Sequence, residues 1–210
     1  MMKTVYFVRH GQTIGNVEKF YQHYDTPLTE VGERGAEAVA TRCAELDAEV
    51  VISSDMRRAQ HTAEIITAKT GLPHVIEPSF HEILQAESVR GLPYDNDVSA
   101  KYRSEWHNNF YDPNWNQEGA ENYEAVLARV VQATEFLEQR EEASLIVVSH
   151  GAFLMSLTTY LMFQKVEDKQ VQRQLCLGLR VMSNVGMTVF EYEEGHWRLR
   201  IYNDHAHFAE

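Results

Sequence analysis

Val5-Tyr6-Phe7-Val8-Arg9-His10-Gly11 is a short β-branched and aromatic run that stops at an arginine, a histidine and a glycine. Such a run reads as a buried strand passing into a loop, with the polar triplet at the strand's carboxyl end. Leu145-Ile146-Val147-Val148-Ser149-His150-Gly151 repeats that ending. Its four consecutive apolar residues predict a strand covered on both faces, as in parallel sheets flanked by helices. Ligands of open α/β sheets gather beyond the carboxyl ends of the strands, where loops and helix N-termini present backbone amides. His10 and His150 are therefore both expected on that rim.

Working outward, a polar loop leads to Thr29, a plausible cap for a helix with Val31, Gly35, Ala38, Val39, Cys43 and Leu46 at helical spacing. Val50-Val51-Ile52 reads as a second strand. Ser54 or Asp55 is expected to cap the next helix, whose apolar face is Met56, Ala59, Ala63 and Ile66 and whose end is Gly71-Leu72-Pro73. Arg58 then falls one turn into that helix and can point at the same rim. Val75-Ile76 is a brief strand. The pattern loosens from Pro78 to about Asn122, where Tyr94, Tyr102, Trp106, Phe110, Tyr111 and Trp115 mix with Asn, Asp and Pro, as in an inserted cap. Regularity returns with a long helix carrying Val126, Val130 and Leu137, a helix over Phe153 to Met162, and a closing hairpin over Val185 to Tyr202. Strands alternating with helices predict an α/β sandwich around a mostly parallel sheet.

Thirty-one acidic residues against nineteen basic give a formal net charge of -12. Nucleic acids and anionic membranes are held by broad positive surfaces, so neither is an expected partner, and any anion must meet a local cationic pocket. Cys43 and Cys176 lack CxxC spacing and read as buried thiols rather than a disulfide or a thiolate metal site. The start lacks the charged, apolar and cleavage regions of a signal peptide, and Phe153 to Phe163 is too short to span a bilayer. The cytoplasm is the expected compartment. Oligomeric state is not legible, with a homodimer the commonest arrangement for a soluble chain.

Arg9-His10-Gly11-Gln12-Thr13 is followed by Asn16, Gln22, Asp25-Thr26-Pro27-Leu28-Thr29 and Gly32. A second block runs from Ser53 through Arg57-Arg58-Ala59 to Thr62-Ala63, a third is Val148-Ser149-His150-Gly151, and Asn203-Asp204 with His207-Phe208 closes the chain. In these blocks and their order the sequence resembles the histidine phosphatase superfamily, also called the phosphoglycerate mutase-like family. The resemblance covers nearly the whole chain and weakens between Leu84 and Asn122. It implies a three-layer α/β/α sandwich of phosphoglycerate mutase-like fold, a single domain over residues 1–210 with a cap-like insertion at about 84–122.

A neutral imidazole held through one nitrogen presents the other as a nucleophile toward phosphorus, and His10 takes that part. Arg9 and Arg58 match phosphate oxygens with planar, permanently charged forks. Arg57 is expected to face solvent. The resemblance makes His150 the second histidine, donating to the phosphoryl oxygens, with Asn16, Gln22 and Gly151 completing the phosphate site. A carboxyl is needed to protonate the leaving oxygen and later to deprotonate water. Glu82, in His81-Glu82-Ile83, stands where the family commonly has an Arg-Glu pair. The Gly-x-Trp-Glu-Gly stretch that often follows is replaced by Gln85-Ala86-Glu87-Ser88-Val89-Arg90-Gly91, so Glu87 is a rival.

His205-Ala206-His207 offers two imidazoles but no third ligand at metal spacing, so neither a metal nor another cofactor is expected. The resemblance implies a metal-independent phosphomonoesterase of the histidine acid phosphatase type, working through phosphohistidine on a small phosphorylated substrate. Cofactor-dependent mutases carry an extended insert with a Tyr-Asp-x-Pro-Pro-Pro type stretch, and only Tyr111-Asp112-Pro113-Asn114 is present. Hydrolysis is thus favoured over mutase-type transfer. A non-catalytic binder of phosphorylated ligands is the alternative from another class.

Overall fold

The computed structural model describes residues 2–163 and 168–208. Among them β1 (Lys3–Arg9), β2 (Val50–Ser53), β3 (His74–Ile76), β4 (Ser144–Ser149), β5 (Met187–Glu193) and β6 (His196–Asp204) form one sheet, ordered β3-β2-β4-β1-β5-β6. The first four strands in that order are parallel, while β5 and β6 add antiparallel at one edge. The sheet is thus mostly parallel, as the two apolar runs predicted.

Strand alternation divides the core into two layers. Val5, Phe7, Ile52, Leu145 and Val147 pack against α5 (Tyr123–Gln139) and α6 (Gly151–Met162). Val8, Val51, Ile146 and Val148 pack against α2 (Glu30–Cys43) and α3 (Arg57–Thr70). Each fully buried side chain of this size contributes about 1.5–3 kcal/mol. The three-layer sandwich follows from strands that are apolar on both faces.

Thr29 caps α2 as expected, its side chain accepting the Gly32 N–H. The cap of α3 is Met56, which gives no side-chain bond, rather than Ser54 or Asp55. Those two side chains are engaged elsewhere: Ser54 Oγ takes the Met56 N–H and bonds His150, while Asp55 accepts from the Tyr24 hydroxyl at 2.8 Å. The loop after β1 contains a one-turn helix, α1 (Ile14–Glu18), too short to show a period. Segment 84–122 carries α4 (Asp97–Asn109), and Ala86, Val89, Tyr102 and Ala120 form a small core of their own, with Trp106 and Trp115 against it. A further helix, α7 (Lys169–Gly178), follows α6. Cys43 is buried, but Cys176, on α7, is only half-buried beside Thr159. No helix among the described residues is long and apolar enough to cross a membrane.

Candidate active site

Parallel register sets the site. Arg9 lies opposite Ser149 and Ser53 opposite Val148, so His10, His150 and Ser54 emerge side by side where three adjacent strands end. The His10 and His150 rings are both buried, with centroids 5.0 Å apart.

His10 Nδ1 lies 2.7 Å from the Gly11 carbonyl. A carbonyl only accepts, so Nδ1 carries the proton and Nε2 keeps its lone pair. Burial, then Arg58 and Arg9, hold the ring's pKa well below the ordinary histidine value. The loop behind it is close-packed: a Cβ on Gly11 would stand 2.5 Å from the Gly32 carbonyl oxygen, and the Gly11 N–H donates to Thr62 Oγ1. His150 Nε2 pairs with Ser54 Oγ at 2.8 Å, and its buried Nδ1 has no hydrogen-bond partner among the described residues. Burial, then Arg58, depress its pKa likewise.

Because both rings are kept neutral in the folded chain, they bind fewer protons below pH 6.5 than the unfolded chain does. Their contribution to stability is complete above pH 6.5 and is lost as pH falls toward the depressed folded values. The slope is up to about 1.4 kcal/mol per pH unit for each ring. We expect Tm to fall between pH 7 and pH 5, and to fall less steeply in a His10→Asn/His150→Asn double variant. Parallel Tm curves for the two proteins would contradict this.

Arg58, 3% exposed, donates from Nη1 to the His23 carbonyl at 3.1 Å, and its buried Nε has no partner among the described residues. Burial pulls its pKa down to about 10, with Glu82 opposing and Arg9 adding to the shift. Arg9 is steered by a bond from Nη1 to the Met182 carbonyl. Gly151 makes room for it, since a Cβ there would stand 3.2 Å from Arg9 Nε and 2.7 Å from Val181 Cγ1. Arg57 is exposed and paired with Glu64 on the surface, as its helical position predicted.

Asn16 and Gln22 turn their carbonyl oxygens inward. The Thr13 N–H and Asn184 Nδ2 both donate to Asn16 Oδ1, and the Thr13 hydroxyl donates to Gln22 Oε1 at 2.8 Å. The amide nitrogens are what remains to donate toward the cleft. Asn184, which also donates to the His10 carbonyl at 2.9 Å, was not identified from sequence. Nor were Ser54 as a partner of His150, or Thr13 and Thr62 as supports, because single polar residues in loops carry no pattern.

Glu82 sits at the start of α6. Its oxygens accept the N–H groups of Ile83 and Phe153, each at 2.9 Å, and of Ala152 at 3.1 Å, which fix the carboxyl against the first turn of that helix. Glu87 is exposed and outside the cleft lining. The cleft holds about 390 Å³ and is lined by Arg9, His10, Asn16, Gln22, Arg58, Glu82 and Gly151 from the expected set. His150 is fully buried with its ring centroid 5.0 Å from that of His10 and is not among the lining residues. Of the cap aromatics, Tyr94 and Trp106 face the cleft, whereas Tyr102 is in the insert's own core. Among the described residues, four arginines (Arg9, Arg58, Arg90, Arg103) and one carboxylate, Glu82, line this cleft. In a chain of net charge -12, this is a focused positive field that draws small anions inward. Among the described residues no group of three His, Cys, Asp or Glu could hold a metal ion. His207 instead bonds the Val185 carbonyl, and its neighbour Asp204 pairs with Arg42.

The sequence profile of the histidine phosphatase superfamily (branch 1) matches residues 5–205, and the chain belongs to that superfamily. Curated relatives described as "Probable phosphoglycerate mutase GpmB", from Cronobacter sakazakii and Escherichia fergusonii, are each 45% identical over 83 residues, 39% of this chain and 39% of theirs. The match thus spans well under half of those relatives' length. Among solved structures, one titled "Mycobacterial hydrolase 1" is 27% identical with a TM-score of 0.78, covering 97% of this chain and 99% of that one. A mycobacterial glucosyl-3-phosphoglycerate phosphatase complexed with VO3 is 26% identical with a TM-score of 0.77, covering 96% and 99%. Bacillus stearothermophilus YhfR, 23% identical with a TM-score of 0.81 over 98% of each chain, shares the fold.

Proposed function

We propose that this chain is a phosphomonoester hydrolase that carries the phosphoryl group on His10. The observation that carries the reading is a buried imidazole whose Nδ1 is locked on a carbonyl, leaving Nε2 its lone pair in a cleft also lined by Arg9 and Arg58. In the first step Nε2 attacks phosphorus, the bond to the leaving oxygen breaks, and that oxygen takes a proton from the Glu82 carboxyl. Water then attacks the phosphohistidine, its proton passes to the Glu82 carboxylate, the P–N bond breaks, and His10 returns neutral. Arg9 and Arg58 face the charge on the equatorial oxygens throughout. With the Ser54 hydroxyl donating to Nε2 of His150, that ring's proton resides on Nδ1, the buried nitrogen without a partner among the described residues, which is the donor assigned in this reading to an oxygen of the phosphoryl group carried on the neighbouring His10. Asn16 and Gln22 donate from their amide nitrogens.

Hydrolysis is favoured over transfer to a second hydroxyl by the phosphatase among the structural neighbours at 26% identity over nearly the whole chain, against mutase-named relatives matched over 39% of it. The test is rapid quenching with a labelled phosphate ester in EDTA: one acid-labile phosphate on His10 that decays in water supports the reading. Strong stimulation by a bisphosphorylated glycerate would replace it with the mutase reaction. Binding without label would leave a non-catalytic binder.

Segment 84–122 acts in this reading as the cap that selects the substrate. Arg90 and Arg103, both from this segment, bond only carbonyls, of Gln85 and Tyr94, and neither has a carboxylate partner among the described residues. They suit a substrate with a second anionic group beyond the transferred phosphoryl. Arg103→Gln is expected to raise KM for such an ester about tenfold more than for 4-nitrophenyl phosphate, the worth of one charge-assisted hydrogen bond. Equal changes for both substrates would remove Arg103 from selection.

A further inference from the structure

We propose that the buried Arg129–Glu121 pair is a positioning device for proton transfer, holding the turn that carries Glu82 so that its carboxyl meets the leaving oxygen. This rests on the reading of Glu82 as the acid and base. Arg129 grips Glu121 with two parallel bonds, Nε to Oε1 at 2.9 Å and Nη2 to Oε2 at 2.6 Å, with side-chain exposures of only 9% and 11%. Its remaining nitrogen, Nη1, donates to the Ser79 carbonyl at 3.2 Å and the His81 carbonyl at 2.6 Å.

Glu121 closes the other side of the same turn. Its Oε2 accepts the Leu84 N–H at 2.8 Å, and its own N–H donates to the Leu84 carbonyl at 2.9 Å. Both flanks of Glu82 are thus fixed by one ion pair. The guanidinium also lies 4.5 Å over the ring of Phe153, whose N–H holds Glu82 Oε1. Trp106 Nε1, from the cleft wall, donates to the Glu121 carbonyl at 3.2 Å, tying the wall to the pair.

A buried ion pair gives little net stability over an apolar pair of the same shape. What this one supplies is a set of directed bonds onto residues 81–84, which have no helix or strand ladder of their own, and onto the single 3-10 turn before them. Proton transfer in the transition state needs that accuracy, since a misplacement of about 1 Å costs on the order of 100-fold in rate.

The experiment compares kcat/KM, which runs through leaving-group departure, on two esters. An alkyl phosphate needs a proton on its leaving oxygen, whereas 4-nitrophenyl phosphate does not. Arg129→Met/Glu121→Leu keeps the packing without the charges, and Arg129→Lys keeps the charge without the fork. Both are expected to lower the alkyl-to-aryl ratio of kcat/KM, by about 10- to 100-fold in the double variant and by less in Arg129→Lys. Glu82→Gln, run alongside, sets the full loss of the ratio. A ratio unchanged in both pair variants while Glu82→Gln loses it would overturn the positioning proposal alone. A ratio unchanged in Glu82→Gln would overturn the acid and base reading and this proposal with it.

Discussion

Changing His10 to alanine is expected to lower kcat/KM on 4-nitrophenyl phosphate by about 10⁴- to 10⁶-fold, the range seen when a nucleophile is deleted from a site that acts as a unit. The ring is fixed through Nδ1 on the Gly11 carbonyl, and among the described residues lining the cleft no other is a neutral nitrogen base near two guanidinium groups. Residual activity would come from the arginines orienting the ester toward water. The variant should also yield no acid-labile phosphate after rapid quench. Turnover within tenfold of the parent, or label persisting in the variant, would place the nucleophile elsewhere.

Arg58→Met is expected to lose about 10²- to 10³-fold in kcat/KM, the usual consequence of removing one fixed charge-stabilising donor. It should nevertheless unfold at a higher temperature. Arg58 holds its charge 3% exposed, with Nε unmatched among the described residues and Arg9 nearby, and no side-chain carboxylate bonds it directly. Replacing an under-satisfied buried cation with an apolar side chain of similar length is expected to add about 1 kcal/mol, or roughly 2–4 °C in Tm for a chain of this size. Inorganic phosphate should raise Tm in the parent through linkage and raise it much less in the variant. A variant with lower Tm and an undiminished phosphate response would show that Arg58 is structural.

Much of this could be read before any coordinates, for reasons particular to certain residues. Val5 to Val8 and Leu145 to Val148 are continuous apolar runs, and strands buried on both faces leave few architectures open. Once those strands are parallel, His10 and His150 share a rim by register, and Arg58 joins them from the first turn of α3. The residues that were not legible orient others. Ser54, like Asp55, reads as a helix cap because such residues before a helix usually are caps, yet its hydroxyl is turned to His150. Asn184 lies far in sequence from the Asn16 side chain it holds, Arg129 lies far from the Ser79 and His81 carbonyls it holds, and α4 shows only a weak amphipathic period. Cys176 reads as a buried thiol in the sequence, but α7 lies at the surface, leaving Cys176 only half-buried and Leu177 71% exposed.

The adjacency of β1 and β4 joins residues about 140 positions apart, as in the pairing of Val5 with Leu145. Closing so large a loop is expected late in refolding, after the helices and hairpin have formed from local contacts. A slip of one residue in that pairing would also send every β4 side chain to the opposite layer. Regained turnover after dilution from denaturant is therefore expected to time the capture of distant strand partners, while the return of helical circular dichroism times only the local pieces.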